Sequence, residues 1–503
     1  MKNIIKISGL IVLTVMSSCG DDFLDIKSKQ DLTTSTFFAN QADFVKALSG
    51  AYAPLRGLYS VGLNTNGGQW AMGEMASDNT TYILNSGFGA ATESKDVANL
   101  VAQSANAIST NKYQNFYQVI ARTNEILSRI DNVTFTDAAI KNSVKGEALF
   151  LRAFSYFDLV QFFGAIPLHL VPSTGLADVA LPPSPVADVY AQIIKDATDA
   201  IALLPVKSAQ PDLGRATKGA ARTLLGNVYV VLKQWSNAET ALEAVGPDGY
   251  SLWASYAAAF DPANKNGKES VFEIQYRAGT DGYASNWTAF LPGPASGAEL
   301  TTIMTNLLGT TPALIPNGGT NVAQAANIPT PDLIAAYEPG DTRLAASIAN
   351  GTASGKTYPF IRKLFHAHAA YGQQTDNFPV YRYSEVLLLL AEAEFNQPGK
   401  TTEALGHLNE VRNRAGLGNA VTIDTDVILQ ERRVELAFEN KRWLDLVRTG
   451  KAESVMQAFG AKVKANPTAY YLNNVNDLPA GAYTAIKTVY SLPASEALQS
   501  PFF

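Results

Sequence analysis

The sequence predicts a mainly α-helical protein, a solenoid core of helical hairpins with long irregular excursions and few short strands. Three observations carry that expectation. Apolar residues recur at spacings of three and four through several long segments, the periodicity of a helix with one buried face. Two of those segments share one hairpin pattern. Between the two lies residues 246–380, dense in Pro, Gly, Asn and Thr, where helical periodicity is weak.

The elements follow in order. Helical spacing begins near Phe37 and runs through Phe44, Ala47, Leu48, Ala51 and Tyr52. Residues 57–112 are irregular, and Tyr113, Phe116, Tyr117 and Ile120 open a second helix that continues to about Ile130. Residues 144–163 predict a third, with Leu149, Ala153, Tyr156, Phe157 and Val160 on its buried face. Gly164 and Pro167 stop it. Beyond Pro182 and Pro183, residues Val189, Ile193, Ala197, Ile201 and Leu204 mark a fourth, closed by Pro205. Residues 215–245 carry the clearest repeat. Leu225, Gly226 and Tyr229, followed by Ala238, Leu242 and Val245, match tetratricopeptide spacing. In that pattern a glycine admits the neighbouring helix, the tyrosine fills the groove, and the alanine sits at the crossing. Leu390, Ala391, Ala404, Leu408 and Val411 repeat it with one residue inserted, so the hairpins predict an α-solenoid. Within the excursion, residues 271–276 alternate as a strand does. A final helix is expected over residues 426–446, with Leu429, Val434, Leu436, Phe438 and Trp443 as apolar members, and residues 466–503 are loop-like.

Composition removes several function classes. The 39 Lys and Arg stand against 45 Asp and Glu, a formal charge of −6. An acidic chain does not suit nucleic-acid phosphates, which call for a basic face. Cys19 is the only cysteine, so neither a disulfide nor a thiolate metal site is available. With four histidines, and aromatics at 10% that are rich in Tyr, the chain is better equipped for wet aromatic contacts than for metal chemistry. No cofactor and no metal are expected.

Lys2 and Lys6 precede and flank a short apolar run that ends in Met16, Ser17 and Ser18 just before Cys19, the pattern of a secretory signal. The run is shorter than the ~20 residues a spanning helix needs. A cysteine at the cleavage point is similar to the lipobox of bacterial lipoproteins, which makes Cys19 the expected lipidation site, with Met16 where leucine is usual. Gly20-Asp21-Asp22 resembles the acidic export signal of Bacteroidetes surface lipoproteins. The expected organisation is a signal peptide over residues 1–18, an acidic tether over 19–36, and a single domain over 37–503. Its helices span about 37–60, 113–245 and 381–450, and its irregular excursions about 61–112 and 246–380.

A set of ordered motifs then carries a family resemblance. Cys19 is followed by Asp22-Phe23-Leu24-Asp25. Glu147-Ala148-Leu149-Phe150-Leu151-Arg152-Ala153-Phe154 leads on to Phe163-Gly164-Ala165-Ile166-Pro167. Arg215-Ala216-Thr217-Lys218-Gly219-Ala220-Ala221 opens the first repeat. Pro329-Thr330-Pro331-Asp332-Leu333, Gly340-Asp341-Thr342-Arg343 and Tyr381-Arg382-Tyr383-Ser384-Glu385 follow. Glu431-Arg432-Arg433-Val434-Glu435-Leu436-Ala437-Phe438-Glu439 then runs into Arg442-Trp443-Leu444-Asp445-Leu446. Together these resemble the SusD/RagB nutrient-binding lipoproteins over nearly the whole chain. The resemblance implies a non-catalytic lipoprotein held in the outer membrane by its lipid anchor and facing the exterior. It also implies a partner, a SusC-like TonB-dependent transporter, to which a captured oligosaccharide is delivered. Oligopeptide capture by the same lid-on-transporter arrangement is the alternative.

The same resemblance implies that ligand contacts come from aromatic faces and a few polar side chains on variable loops. Two Gly-rich segments offer them. One supplies Trp70, Asp78, Asn79, Tyr82 and Phe88, and the other Arg277, Tyr283, Asn286 and Trp287. Trp235 and Trp443 sit on apolar helix faces and are expected in the core. The charges of the carboxyl-terminal motifs, among them Arg382, Glu385, Glu392, Arg432, Arg433, Glu435, Arg442 and Asp445, are expected to tie helix ends together as ion pairs. Gly351 to Thr357 nearly matches a phosphate loop, but the glycine spacing is one short. His366 and His368 could share one face of a strand, with no third metal ligand identifiable. No nucleophile elbow is present and no barrel rhythm surrounds a carboxylate pair, so catalysis is not expected.

Overall fold

The computed structural model describes residues 37–60, 68–83, 92–279, 284–285, 287–293, 295–310, 325–370, 373–472 and 478–502. Cys19, the signal peptide, the tether, Phe88, Tyr283 and Asn286 lie outside them.

The architecture is mainly helical. The longer helices are α1 (Gln41–Tyr59), α2 (Ala107–Arg129), α3 (Ala138–Phe163), α4 (Val186–Leu203), α5 (Lys218–Val231), α6 (Trp235–Glu243) and α7 (Gly297–Leu308), then α8 (Tyr383–Phe395), α9 (Thr401–Arg414), α10 (Thr425–Glu435), α11 (Arg442–Arg448) and α12 (Ala452–Ala465). Each of α1 to α5 packs on the next in chain order, and α6 packs directly on α8. The solenoid therefore continues across the excursion as though residues 246–380 were inserted between two neighbouring repeats.

Local sequence explains most boundaries. Asn40, Asn106, Asp137 and Thr217 each accept backbone N–H bonds at a helix start, which satisfies donors that the helix leaves orphaned. The cap at Asn106 starts α2 six residues before Tyr113, where apolar spacing first becomes visible. Helix α3 is buried on every side from Val144 to near its end and forms the centre of the molecule. It stops at Gly164, whose φ of 70° suits glycine. A Cβ on Gly226 would collide with Leu242, so the close approach of α5 and α6 depends on that glycine. The last hairpin, α8 with α9, has a small core of its own made of Leu387, Leu388, Ala391, Ala404, Leu408 and Val411.

Strands are few. Short β1 (Thr80–Thr81) pairs with β3 (Ile328–Pro329), β2 (Ser270–Ile274) with β6 (Phe378–Arg382), and β4 (Ile348–Ala353) with β5 (Lys356–Ile361), all antiparallel. Strand β6 runs straight into α8 and so stitches the excursion to the second repeat. The near phosphate loop is the β4–β5 hairpin, turning at Ser354 and Gly355 with φ of 48° and 73°.

Two expectations are corrected. The excursion contains a helix, α7, started by a Ser296/Glu299 capping box and ended at left-handed Gly309. The expected single helix over residues 426–446 is broken in two, because Phe438 and Asn440 take φ of 67° and 63° between α10 and α11.

Candidate functional site

That break positions the first candidate segment. Residues 68–75 form a buried turn in which Ala71–Met75 is π-helical. The Glu74 carboxylate accepts the N–H of Phe438 at 3.0 Å and of Asn440 at 3.1 Å. It also accepts from Asn79 Nδ2 at 2.9 Å. These bonds repay two strained φ angles. A Cβ on Gly73 would meet Asn440, so the two backbones touch there. Burial pushes the Glu74 carboxyl up to about 7, against the pull of its hydrogen bonds.

Asp78 and Asn79 are fixed by the same motif. Asp78 Oδ1 accepts Arg442 Nε at 2.8 Å, and Arg433 Nη2 lies 2.9 Å from Asp78 Oδ2. Burial opposes ionisation of Asp78, but Arg442 and Arg433 outweigh it and hold the carboxyl below its ordinary value. Asn79 Oδ1 accepts Arg433 Nε at 2.8 Å. The Tyr82 hydroxyl accepts Asn99 Nδ2 at 2.7 Å, and its ring lies 5.0 Å from that of Tyr471.

The second segment follows β2. Tyr276 donates its hydroxyl to the Arg56 carbonyl at 2.9 Å, and its N–H to Asn377 Oδ1 at 2.8 Å. Trp287 is 2% exposed. Its ring is 6.3 Å from Tyr276, 6.1 Å from Phe290 and 5.8 Å from Phe378. Phe290 in turn lies 5.7 Å edge-on to Trp70. The two segments singled out by sequence, far apart in the chain, therefore meet in one aromatic cluster. Within it Trp70 and Trp287 turn their faces to protein, and Asp78, Asn79 and Tyr82 are also buried. Arg277 is exposed beside the cluster.

The carboxyl-terminal charges do form ion pairs. Arg382 donates to Glu269 at 2.7 Å, Glu435 at 2.9 Å and Glu439 at 2.6 Å, all in the interior. Arg343 adds bonds to Asp341 at 2.9 Å and Glu435 at 3.1 Å, and Arg414 reaches Glu435 as well. Burial works against the Glu435 carboxylate, but Arg414, Arg382 and Arg343 together hold it far below the usual range. A second network links Arg432 to Asp445 at 2.9 Å and Arg448 to Glu392 at 2.5 Å. Trp443 is fully buried, and Trp235 packs half-buried against the core.

Two features had no sequence pattern that could reveal them, because each joins distant segments. Lys112 is buried between Asp158 at 2.6 Å and the Phe162 ring at 4.0 Å, and burial lowers its ammonium to about 8. Glu239, Glu243 and Glu394 bring carboxylate oxygens within 4.8 Å of one another, the one such grouping of three potential metal ligands among the described residues. Lys400 contacts Glu239, and His407 Nε2 lies 3.3 Å from Glu394, so basic side chains of the chain itself face that cluster and tie α6 to α8 and α9. Of the two histidines noted in the sequence, His366 pairs with Asp376. His368 instead donates Nδ1 to the His366 carbonyl at 2.8 Å, so the two imidazoles do not form a metal pair.

Hairpin repeats, an inserted run of loops and short strands, and a buried Arg/Glu lattice define a tetratricopeptide-type helical scaffold. Comparison with known proteins gives the family. The model of the SusD family matches residues 342–497, and one described as starch-binding and associating with the outer membrane matches residues 22–230. The chain belongs to the SusD/RagB family. It is 28% identical over 489 residues to the SusD-like protein P38 of Formosa agariphila, covering 89% of this chain and 91% of that one. A SusD-like protein of Bacteroides ovatus is 25% identical over 497 residues, covering 89% and 83%. Among solved structures, a laminarin-binding SusD-like protein superposes with a TM-score of 0.73 at 23% identity, covering 92% of this chain and 98% of that one. Surface glycan-binding protein A from Bacteroides thetaiotaomicron in complex with laminarihexaose gives 0.68 at 21% identity, covering 92% and 96%. No helix among the described residues is long and apolar enough to cross a membrane.

Proposed function

We propose that this protein is a cell-surface lipoprotein, anchored through Cys19 in the outer membrane, that captures an oligosaccharide and delivers it to a SusC-like TonB-dependent transporter without breaking bonds. The observation that carries this reading is the meeting of segments 68–83 and 276–293 in one aromatic cluster, in a family whose solved members include glycan binders. Residues 37–503 act as one domain after the tether. Trp70, Asp78, Asn79, Tyr82 and Trp287 form the support of the site, and Phe88, Arg277, Tyr283 and Asn286 its contact layer. Sugar C–H faces pack on rings while amide and guanidinium groups bond hydroxyls, so binding tolerates salt. Peptide capture by charge complementarity weakens with it.

The test is isothermal titration of the chain starting after Cys19 against laminarin, starch and xylan oligosaccharides and a peptide digest, with an assay for new reducing ends. Saturable heat with one glycan class and no new ends supports capture. Heat with peptides alone moves the protein to the alternative, and new reducing ends make it an enzyme. Replacing Cys19 by Ala in the full chain should move the protein from the membrane to the soluble fraction. Retention of the unacylated variant in membranes refutes the anchor.

A further inference from the structure

The His366–Asp376 pair adjoins the second candidate segment through residues 374–377. Asp376 is 2% exposed, and its Oδ1 accepts a hydrogen bond from His366 Nδ1 at 2.5 Å. Its Oδ2 is buried with no hydrogen-bond partner among the described residues. A carboxylate on Nδ1 makes that nitrogen the donor, which in the neutral tautomer puts the lone pair on Nε2. The His366 side chain is 31% exposed, and its Nε2 makes no hydrogen bond among the described residues. The ring is thus held in one orientation, with Nε2 turned away from its buried partner.

The pair is also fastened to the aromatic cluster. Gln374 Oε1 accepts the Trp287 N–H at 2.9 Å, and the Gln374 carbonyl accepts from Ser285 N at 3.0 Å. The Asp376 carbonyl lies 3.4 Å from Trp287 Nε1, and Asn377 Oδ1 holds the Tyr276 N–H. Residues 374–377 therefore grip the second candidate segment with their backbone and amides while Asp376 orients His366. This is the arrangement of a supporting residue behind a contact residue, in which the partner of one ring nitrogen sets what the other can bind.

We infer that His366, oriented by Asp376, is a ligand contact of the glycan site, accepting a sugar hydroxyl at Nε2. The inference rests on the glycan-binding reading above. A structural role alone, fixing Asp376 in place, would leave binding intact once stability is matched.

The experiment titrates laminarihexaose and maltohexaose into the chain starting after Cys19, as wild type, His366→Ala and His366→Gln, with the thermal unfolding of each variant recorded alongside. His366→Ala should weaken binding of whichever hexaose the wild type takes by about tenfold at an unchanged unfolding temperature. His366→Gln, whose amide reaches the position of Nε2, should recover part of that loss. A nitrogen-15 spectrum of the wild type should show the His366 ring protonated at Nδ1. Equal affinity of His366→Ala and wild type overturns the inference, as does an affinity loss that accompanies a matching loss of thermal stability. Wild type that binds neither hexaose removes the glycan reading for these probes and the inference with it, a result distinct from unaltered binding by the variant.

Discussion

In the hairpin of α5 and α6, cohesion comes from neighbours in sequence. Leu225, Ala238 and Leu242 are buried against one another across a short turn, and Gly226 sets their distance. In the layer that holds residues 68–83 and the described part of 246–380, cohesion comes from charges and amides far apart in the chain. Glu74 bonds Phe438 across 364 residues and Arg382 bonds Glu269 across 113. The first region buries apolar surface without direction, so substitution costs scale with volume removed. The second is a lattice of desolvated ions, where removing one member strands its partners. Difference in cohesion predicts difference in failure: the scaffold loses stability gradually, and the layer loses it in large steps.

The largest step should come from Arg382→Ala. It leaves Glu269, Glu435 and Glu439 buried without the guanidinium that joins them. A loss of about 3–5 kcal/mol in urea unfolding is expected. A loss under about 1 kcal/mol would erase the contrast, because the lattice would then be no more than decoration on an apolar core. Next is Trp287→Ala. Its indole is enclosed by Tyr276, Phe290 and Phe378, so the variant should lose about 3–4 kcal/mol of stability. If urea unfolding were instead unchanged and only glycan affinity fell, the ring would belong to the contact layer.

The same contrast separates what the sequence discloses from what it hides. The buried face of α3, the Gly226/Tyr229/Ala238 hairpin and its second copy are legible because helical burial repeats every three or four residues. The break between α10 and α11 is not. Apolar spacing continues through Leu436 and Phe438 towards Trp443, yet Glu74 takes the N–H groups that a continuous helix would use. Candidate segments are legible by composition, since Gly, Asn and aromatic residues mark both. How their side chains divide between support and surface is hidden, because burial of Trp287 depends on rings from Phe290 and Phe378 and a loop held by Gln374. Helix α7 could have been found from Ser296 and Glu299, a capping box within a stretch otherwise rich in loop residues.

A smaller effect should appear as a pH dependence. The Glu74 carboxyl titrates at about 7 in the folded protein and near 4.5 as a free side chain. The folded state therefore holds this proton more tightly than the unfolded chain does. Its destabilising contribution is absent below about pH 4.5, grows as pH rises, and is complete above about 7. Relative to wild type, Glu74→Gln should gain about 2–3 kcal/mol between pH 4 and pH 8 in parallel urea titrations. A constant difference between the two proteins across that range would show that the clamp on Phe438 and Asn440 holds an ordinary carboxylate.

The smallest effect on stability is expected at Arg277. It is exposed beside the cluster, in the loop that follows β2. Arg277→Ala should change unfolding free energy by no more than about 0.5 kcal/mol, the range of ordinary surface substitutions. A guanidinium that bonds ligand hydroxyls should nevertheless be missed in titration, where its loss costs about a tenfold drop in affinity for a bound oligosaccharide. The pairing of a large binding effect with a negligible stability effect is what distinguishes a contact residue from Trp287 behind it. If Arg277→Ala binds like wild type while Trp287→Ala cannot fold, the aromatic cluster is simply the core of the loop layer, and the ligand surface must be sought on another face.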